Sequence, residues 1–156
     1  MSKLGSALGE KFQQNKLSIL TRTFDLGNHT FKVRVPSSGE IERIFEYFKT
    51  PNADDVEIIY QELTKNLQDI ESQEVEKLEN DILISGRSMR EAAKNKAIVE
   101  YRITEYFKFL IPETGETLDD LTYADIESEF PFAIQLQITD KINEVISPDY
   151  KEIREK

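Results

Sequence analysis

Few side chains in this sequence are suited to chemistry, and their spacing narrows the choice further. His29 is the only histidine and there is no cysteine, which removes thiolate nucleophiles, disulfides and the usual zinc ligand sets. A catalytic histidine needs a partner to orient it and pass a proton. No second histidine or cysteine exists to build one, and His29 reads as a residue flanking a turn. Asp119, Asp120 and Asp125 form the nearest thing to a carboxylate cluster, but two of them are adjacent and need not share a face, and no pocket signal accompanies them. The acid row Glu71, Glu74, Glu76, Glu79 and Asp81 lacks the glycine-bearing twelve-residue pattern of a calcium loop, so it reads as a solvated face. Ser85-Gly86-Arg87 carries one glycine, too little for a phosphate-cradling loop. The expectation is a protein with no catalytic, cofactor-binding or metal-ligating residues.

Composition points the same way. In 156 residues, 30 acids against 20 bases give a net charge of −10, which disfavours non-specific binding to nucleic acid or an anionic membrane. Basic ligands or a neutral protein partner fit better. The longest apolar runs fall well short of the roughly 18 residues that a membrane span requires, and the N-terminus has no signal-peptide core. A cytoplasmic, soluble chain is expected, and one of this length buries about 68–70% of its unfolded surface as a single domain.

The elements that must position any site follow from the hydrophobic periods. In residues 1–15, Leu4, Leu8 and Phe12 recur at near-helical spacing; the segment is either a flexible arm or one that becomes helical against a partner, because so short a strip is marginal alone. From Lys16 to Val35 the period becomes two. Gly27-Asn28 suits a two-residue hairpin turn, which pairs Leu26 with His29, Phe24 with Phe31, Arg22 with Val33 and Leu20 with Val35. The outer edges of that hairpin are unpaired backbone, open to pairing between copies. Ser37 then caps a helix through Ile41, Ile44, Phe45 and Phe48, ending at Thr50-Pro51. Asn52 caps the next, whose seam runs through Val56, Ile59, Tyr60, Leu63, Leu67 and Ile70; similar spacing continues more weakly through Val75, Leu78 and Ile82 toward Gly86 as a C-cap after Ile84, and the spacing leaves open whether Ser72-Gln73 breaks the helix.

The longest periodic stretch is Ser88 to Ile111, opened by Ser88 with Glu91 as a capping box and closed by Pro112. Met89, Ala92, Ala93, Val99, Ile103, Tyr106, Phe107 and Leu110 fall on one face, with Lys96 intruding. Ile98, Tyr101 and Phe109 point away from it, so this helix is walled on two sides or offers one side to a partner. Thr122 caps a short helix with Leu121 and Ile126 as a hydrophobic staple. Pro131 starts the last, with Ile134, Ile138, Ile142 and Val145 buried and Ser147-Pro148 as its stop. The class is therefore mainly α (α+β): a single domain over 16–148, with a β-hairpin at 16–35 packed on a helical bundle of about five helices over 37–148. Residues 1–15 are the flexible arm and 149–156 a mobile tail. The partner-binding candidates are Leu4, Leu8, Phe12, Ile98, Tyr101 and Phe109.

Two stretches carry a family resemblance. Thr23 to Pro36 with Ser38-Gly39-Glu40-Ile41, and Leu121-Thr122-Tyr123-Ala124-Asp125-Ile126 through Phe130-Pro131 to Ile142, resemble the tail assembly chaperones of long-tailed, siphovirus-type bacteriophages. The resemblance implies a non-enzymatic protein that binds the tape measure protein and keeps its apolar surface soluble in the cytoplasm of the host bacterium, then leaves before the mature virion. It also implies tail tube protein as a partner of a frameshifted, extended form. Helix-in-groove docking and coating by a homo-oligomer are the two physical modes. No functional residue carries over, because the family has no small defined site. Two other roles stay open: a small structural or connector subunit of the virion, and an acidic inhibitor that mimics nucleic acid.

Overall fold

The computed structural model describes residues 3–147; the stop expected at Pro148 and the tail expected over 149–156 lie outside them. The described residues hold seven helices and two small sheets, a mixed α+β chain rich in helix. It divides into two compact units, Ser38–Thr104 and the pair of segments Met1–Ser37 with Glu105–Lys156. No helix among the described residues is long and apolar enough to cross a membrane.

The discontinuous unit begins with α1 (Lys3–Leu8) and α2 (Glu10–Ile19), followed by β1 (Thr21–Leu26) and β2 (His29–Arg34). Helix thus replaces the expected strand character of Lys16–Ile19: the period of four set by Leu8 and Phe12 runs on through Lys16 before alternation begins. The hairpin register is the one the sequence dictates, from Leu26↔His29 to Arg22↔Val33. Gly27 and Asn28 both take positive φ, 58° and 65°, as a two-residue turn matched to strand twist demands. Leu20 and Val35 lie beyond the paired strands yet meet through a Val35 N–H donated to the Leu20 carbonyl at 2.8 Å.

One outer edge of the hairpin is not open. Residues 109–111 run along β2, with the Arg34 N–H donated to the Phe109 carbonyl at 2.7 Å, the Ile111 N–H to the Lys32 carbonyl at 2.8 Å, and Val33 bridged to Leu110. Two expectations are corrected together. The β2 edge is already covered, and the long helix stops at Phe107 rather than Ile111. Pro112 excludes helical backbone at the residue before it, and pairing with β2 satisfies the groups that a final helical turn would leave exposed.

The same unit closes with α6 (Tyr123–Glu129) and α7 (Phe132–Ile146), labelled here ahead of the intervening elements. Thr122 and Asp125 make a reciprocal capping box, and α7 packs against both hairpin strands. Phe24, Val33, Tyr106, Phe107, Phe109, Ile126, Ile138 and Ile142 are its buried hydrophobic residues. Phe24 stacks on Phe31 with ring centroids 4.9 Å apart.

The continuous unit holds α3 (Ser38–Lys49), α4 (Ala53–Thr64), β3 (Val75–Lys77), β4 (Ile82–Ile84), β5 (Arg87–Ser88) and most of α5 (Met89–Phe107). Asn52 caps α4 as expected, its Oδ1 accepting from the N–H groups of Asp54 and Asp55. The acidic seam after it is not a continuous helix. It stops at Thr64, and residues 75–88 form an antiparallel meander in the order β3-β4-β5. Val75, Leu78 and Ile82 match helical spacing by coincidence, and short apolar runs such as Ile82-Leu83-Ile84 cannot be told apart by period alone. β-branched enrichment there favours strand. Gly86 is accordingly a hairpin residue rather than a helix cap: Ser85 and Gly86, at φ 50° and 82°, turn β4 into β5.

That meander ties itself to the start of α5 through one carboxylate. Asp81 accepts hydrogen bonds from the Ser88 hydroxyl and from the backbone N–H groups of Ile82 and Arg90, while the Ser88 oxygen accepts from the Glu91 N–H at 3.1 Å. Burial is the largest single influence and pushes the Asp81 carboxyl up, but the Ser88 hydroxyl, the Arg90 and Ile82 N–H donors and the Arg90 charge together outweigh it and hold the group below its ordinary range. Arg90 reaches back to the Glu57 carboxylate at 2.7 Å and lies over the Tyr60 ring, 3.9 Å from its centroid, so the Glu57 carboxyl is lowered as well. A depressed folded pKa contributes stability above the unfolded value and loses it as pH falls through the folded one. Chemical denaturation should therefore show stability declining as pH drops through and below the ordinary carboxylate range. Asp81→Asn should flatten that acid limb, and an unchanged limb would refute the assignment.

Candidate partner-binding surface

The N-terminal helices expose more apolar side chain than their size requires. Gly9, at φ 87° and ψ 179°, separates α1 from α2, and the Gln13 side-chain amide donates across the break to the Gly5 carbonyl at 3.0 Å. Glu10 sits in the first turn of α2, where a negative charge suits the helix dipole. No residue of α2 is buried. Leu4 is 68% exposed and Leu17 77% exposed, with Leu8, Ile19 and Leu20 exposed as well. Scattered single hydrophobics are ordinary on a protein surface, but a contiguous set marks a binding site.

The end of α2 also borders a groove. Leu17, Leu20, Leu110, Ile111, Pro112 and Leu118 supply its apolar wall, with Arg34, Lys108 and Asp119 among its lining and a volume of about 320 Å³. The wall exists because residues 109–112 follow β2 instead of continuing α5. Lys108 pairs with Glu105 at 3.2 Å, and the Arg34 guanidinium lies 5.3 Å from the Phe109 ring centroid.

The six candidate residues separate. Leu4 and Leu8 are exposed on α1, and Phe12 is half-buried on α2. Phe109 is buried in the discontinuous unit, its carbonyl bonded to β2. Ile98 and Tyr101 are half-buried on α5, and the Tyr101 ring stacks on Tyr47 with centroids 3.8 Å apart and planes at 9°. Burial, then the Asp55 carboxylate that accepts from its hydroxyl at 2.7 Å, pushes the Tyr47 phenol well above its ordinary value. Leu17, Leu20, Leu110, Ile111 and Leu118 are surface residues that sequence reasoning missed. The signal for the first two was the persistence of period four past Asn15.

Of the side chains weighed for chemistry, Asp125 and His29 have structural partners, while Asp119 and Asp120 are exposed. Asp125 accepts from the Thr122 N–H at 3.0 Å as half of the capping box. His29 is exposed and sets its ring edge against Phe31 at 4.6 Å. Among the described residues no three His, Cys, Asp or Glu side chains are gathered where they could hold a metal ion. A second hollow lies around Asp25, Leu26 and the hairpin turn, where the Thr30 hydroxyl donates to Asp25. What the geometry offers is an apolar groove beside exposed helices. Compared with known proteins, the chain matches no family, no curated sequence and no solved structure.

Proposed function

We propose that this protein is a non-enzymatic tail assembly chaperone of a long-tailed bacteriophage, binding the tape measure protein and keeping it dispersed in the host cytoplasm until the tail tube forms. The observation that carries the reading is the exposed apolar surface of α1 and α2 beside the groove at Leu17, Leu20, Leu110 and Leu118. A holdase needs such a surface to cover apolar client helices, and a net charge of −10 keeps the complex from aggregating. The two stretches that resemble the family support it further. One supplies the hairpin and the other the capped α6 and α7, and both frame the unit that bears the groove. Tail tube protein would be recruited by a frameshifted, extended form.

Coexpression with the tape measure protein encoded in the same genome tests the reading. The expected result is a soluble client that copurifies with the chain, together with finished tails that lack it. Leu8→Asp combined with Leu17→Asp, both at exposed positions, should leave the circular dichroism unchanged and return the client to the insoluble fraction. A client equally soluble without the chain, or a chain retained in finished particles, would overturn it, and retention would favour a virion subunit.

A further inference from the structure

The charge of this protein is unevenly placed. Residues 1–37 contain six bases (Lys3, Lys11, Lys16, Arg22, Lys32, Arg34) and two acids (Glu10, Asp25), a balance of 6 − 2 = +4, so the remaining residues carry −10 − 4 = −14. All six bases are exposed. The segment with the exposed leucines is thus the basic part of an acidic chain. The groove beside it has Arg34 and Lys108 in its lining against the acid Asp119, with Lys108 already paired to Glu105, so the positive side of the docking face rests on Lys16 and Arg34.

We infer that the groove and α2 together take an acidic amphipathic helix, its apolar stripe seated on Leu17, Leu20, Leu110 and Leu118 and its carboxylates facing Lys16, one turn before Leu20, and Arg34 in the groove lining. Composition alone favours a basic or neutral partner; the local charge reverses that sign. Protein is favoured over an anionic bilayer on two grounds. A concavity of about 320 Å³ receives a convex helix better than a flat surface, and a balance of −14 over the remaining residues repels a negative membrane. The inference rests on the chaperone reading for its biological client, whose docking segment would be rich in Leu and Glu, but the docking chemistry is testable without one.

The probes are two synthetic helical peptides with the same leucine stripe, one carrying glutamates and the other lysines on its polar face. The full chain should bind the glutamate peptide at least about tenfold more tightly at low salt, with the preference shrinking as salt screens it. Lys16→Glu with Arg34→Glu should invert the preference at unchanged circular dichroism, and Leu17→Asp with Leu20→Asp should abolish binding of both peptides. A lysine-peptide preference, equal affinities, or binding insensitive to both double variants would overturn the inference. So would stronger binding to phosphatidylserine vesicles than to the glutamate peptide, or concentration-dependent self-association that blocks it. If the glutamate peptide binds as expected while the tape measure protein does not copurify, the chaperone reading fails and this one stands; the opposite pattern spares the reading and removes the inference.

Discussion

Ile103→Ala should cost about 2–5 kcal/mol of stability. Ile103 is 1% exposed, so removing three carbons from it leaves a void that close-packed neighbours fill only in part. Ala93 and Ala97, one helical face toward the N-terminus, pack with Ile59 and Tyr60 and have nothing comparable to lose. Ile58 is the control. It lies next to Ile59 on α4 but is 61% exposed, and Ile58→Ala should stay within about 0.5 kcal/mol of the parent. Urea unfolding followed by circular dichroism measures both. A loss below about 1 kcal/mol at Ile103 would mean that the apolar face of α5 is not core. Similar losses at the two sites would mean that burial does not govern stability in this unit.

The face carrying Ile103 was legible because its signal is redundant: seven apolar positions repeat over the five turns of α5, and Lys96, the one intruder, turns out to pair with Glu100 at 3.5 Å. The hairpin was legible for a different reason. A Gly-Asn turn fixes register, and in a strand a slip of one residue would exchange its faces. Legibility failed where local period and long-range pairing disagreed. Leu110 and Ile111 continue the helical stripe in sequence, but they bond to Lys32 and Val33, some 80 positions away, and nothing local announces that contact. The meander from Val75 to Ser88 failed likewise. Its three strands have two or three residues each, too few for alternation to outweigh a chance match to period 3.6. The site suffered most from these errors. Once Lys16–Ile19 was taken as strand and 109–111 as helix, the groove that both segments line could not be assembled. Charge placement, by contrast, was available in the residues from the start and was hidden by the net value.

Gln135→Leu should be the second most damaging change, although it removes a polar group from a core. Gln135 is 1% exposed and falls three and seven positions before Ile138 and Ile142 on the buried face of α7, so its spacing fits the core and only its polar type argues against burial. Its amide joins two elements: the side-chain nitrogen donates to the Phe130 carbonyl at 2.9 Å, and the oxygen accepts from the Tyr123 hydroxyl at 2.9 Å. These bonds fix the bend between α6 and α7, where Pro131 prevents the backbone from supplying one of its own N–H groups. Leucine matches the volume closely but ends both bonds, and each polar group that loses a buried partner costs about 1–3 kcal/mol. Thermal unfolding should place the loss at about 2–4 kcal/mol. Tyr123→Phe alone should cost less, since it removes one bond and leaves the amide attached to Phe130. The double variant decides the mechanism. If the network argument holds, Tyr123→Phe with Gln135→Leu costs less than the sum of the two single changes, because the second substitution removes a bond already lost. Strict additivity would show that the Tyr123 bond contributes nothing to the cost at Gln135, leaving its bond to the Phe130 carbonyl and its packing to account for it.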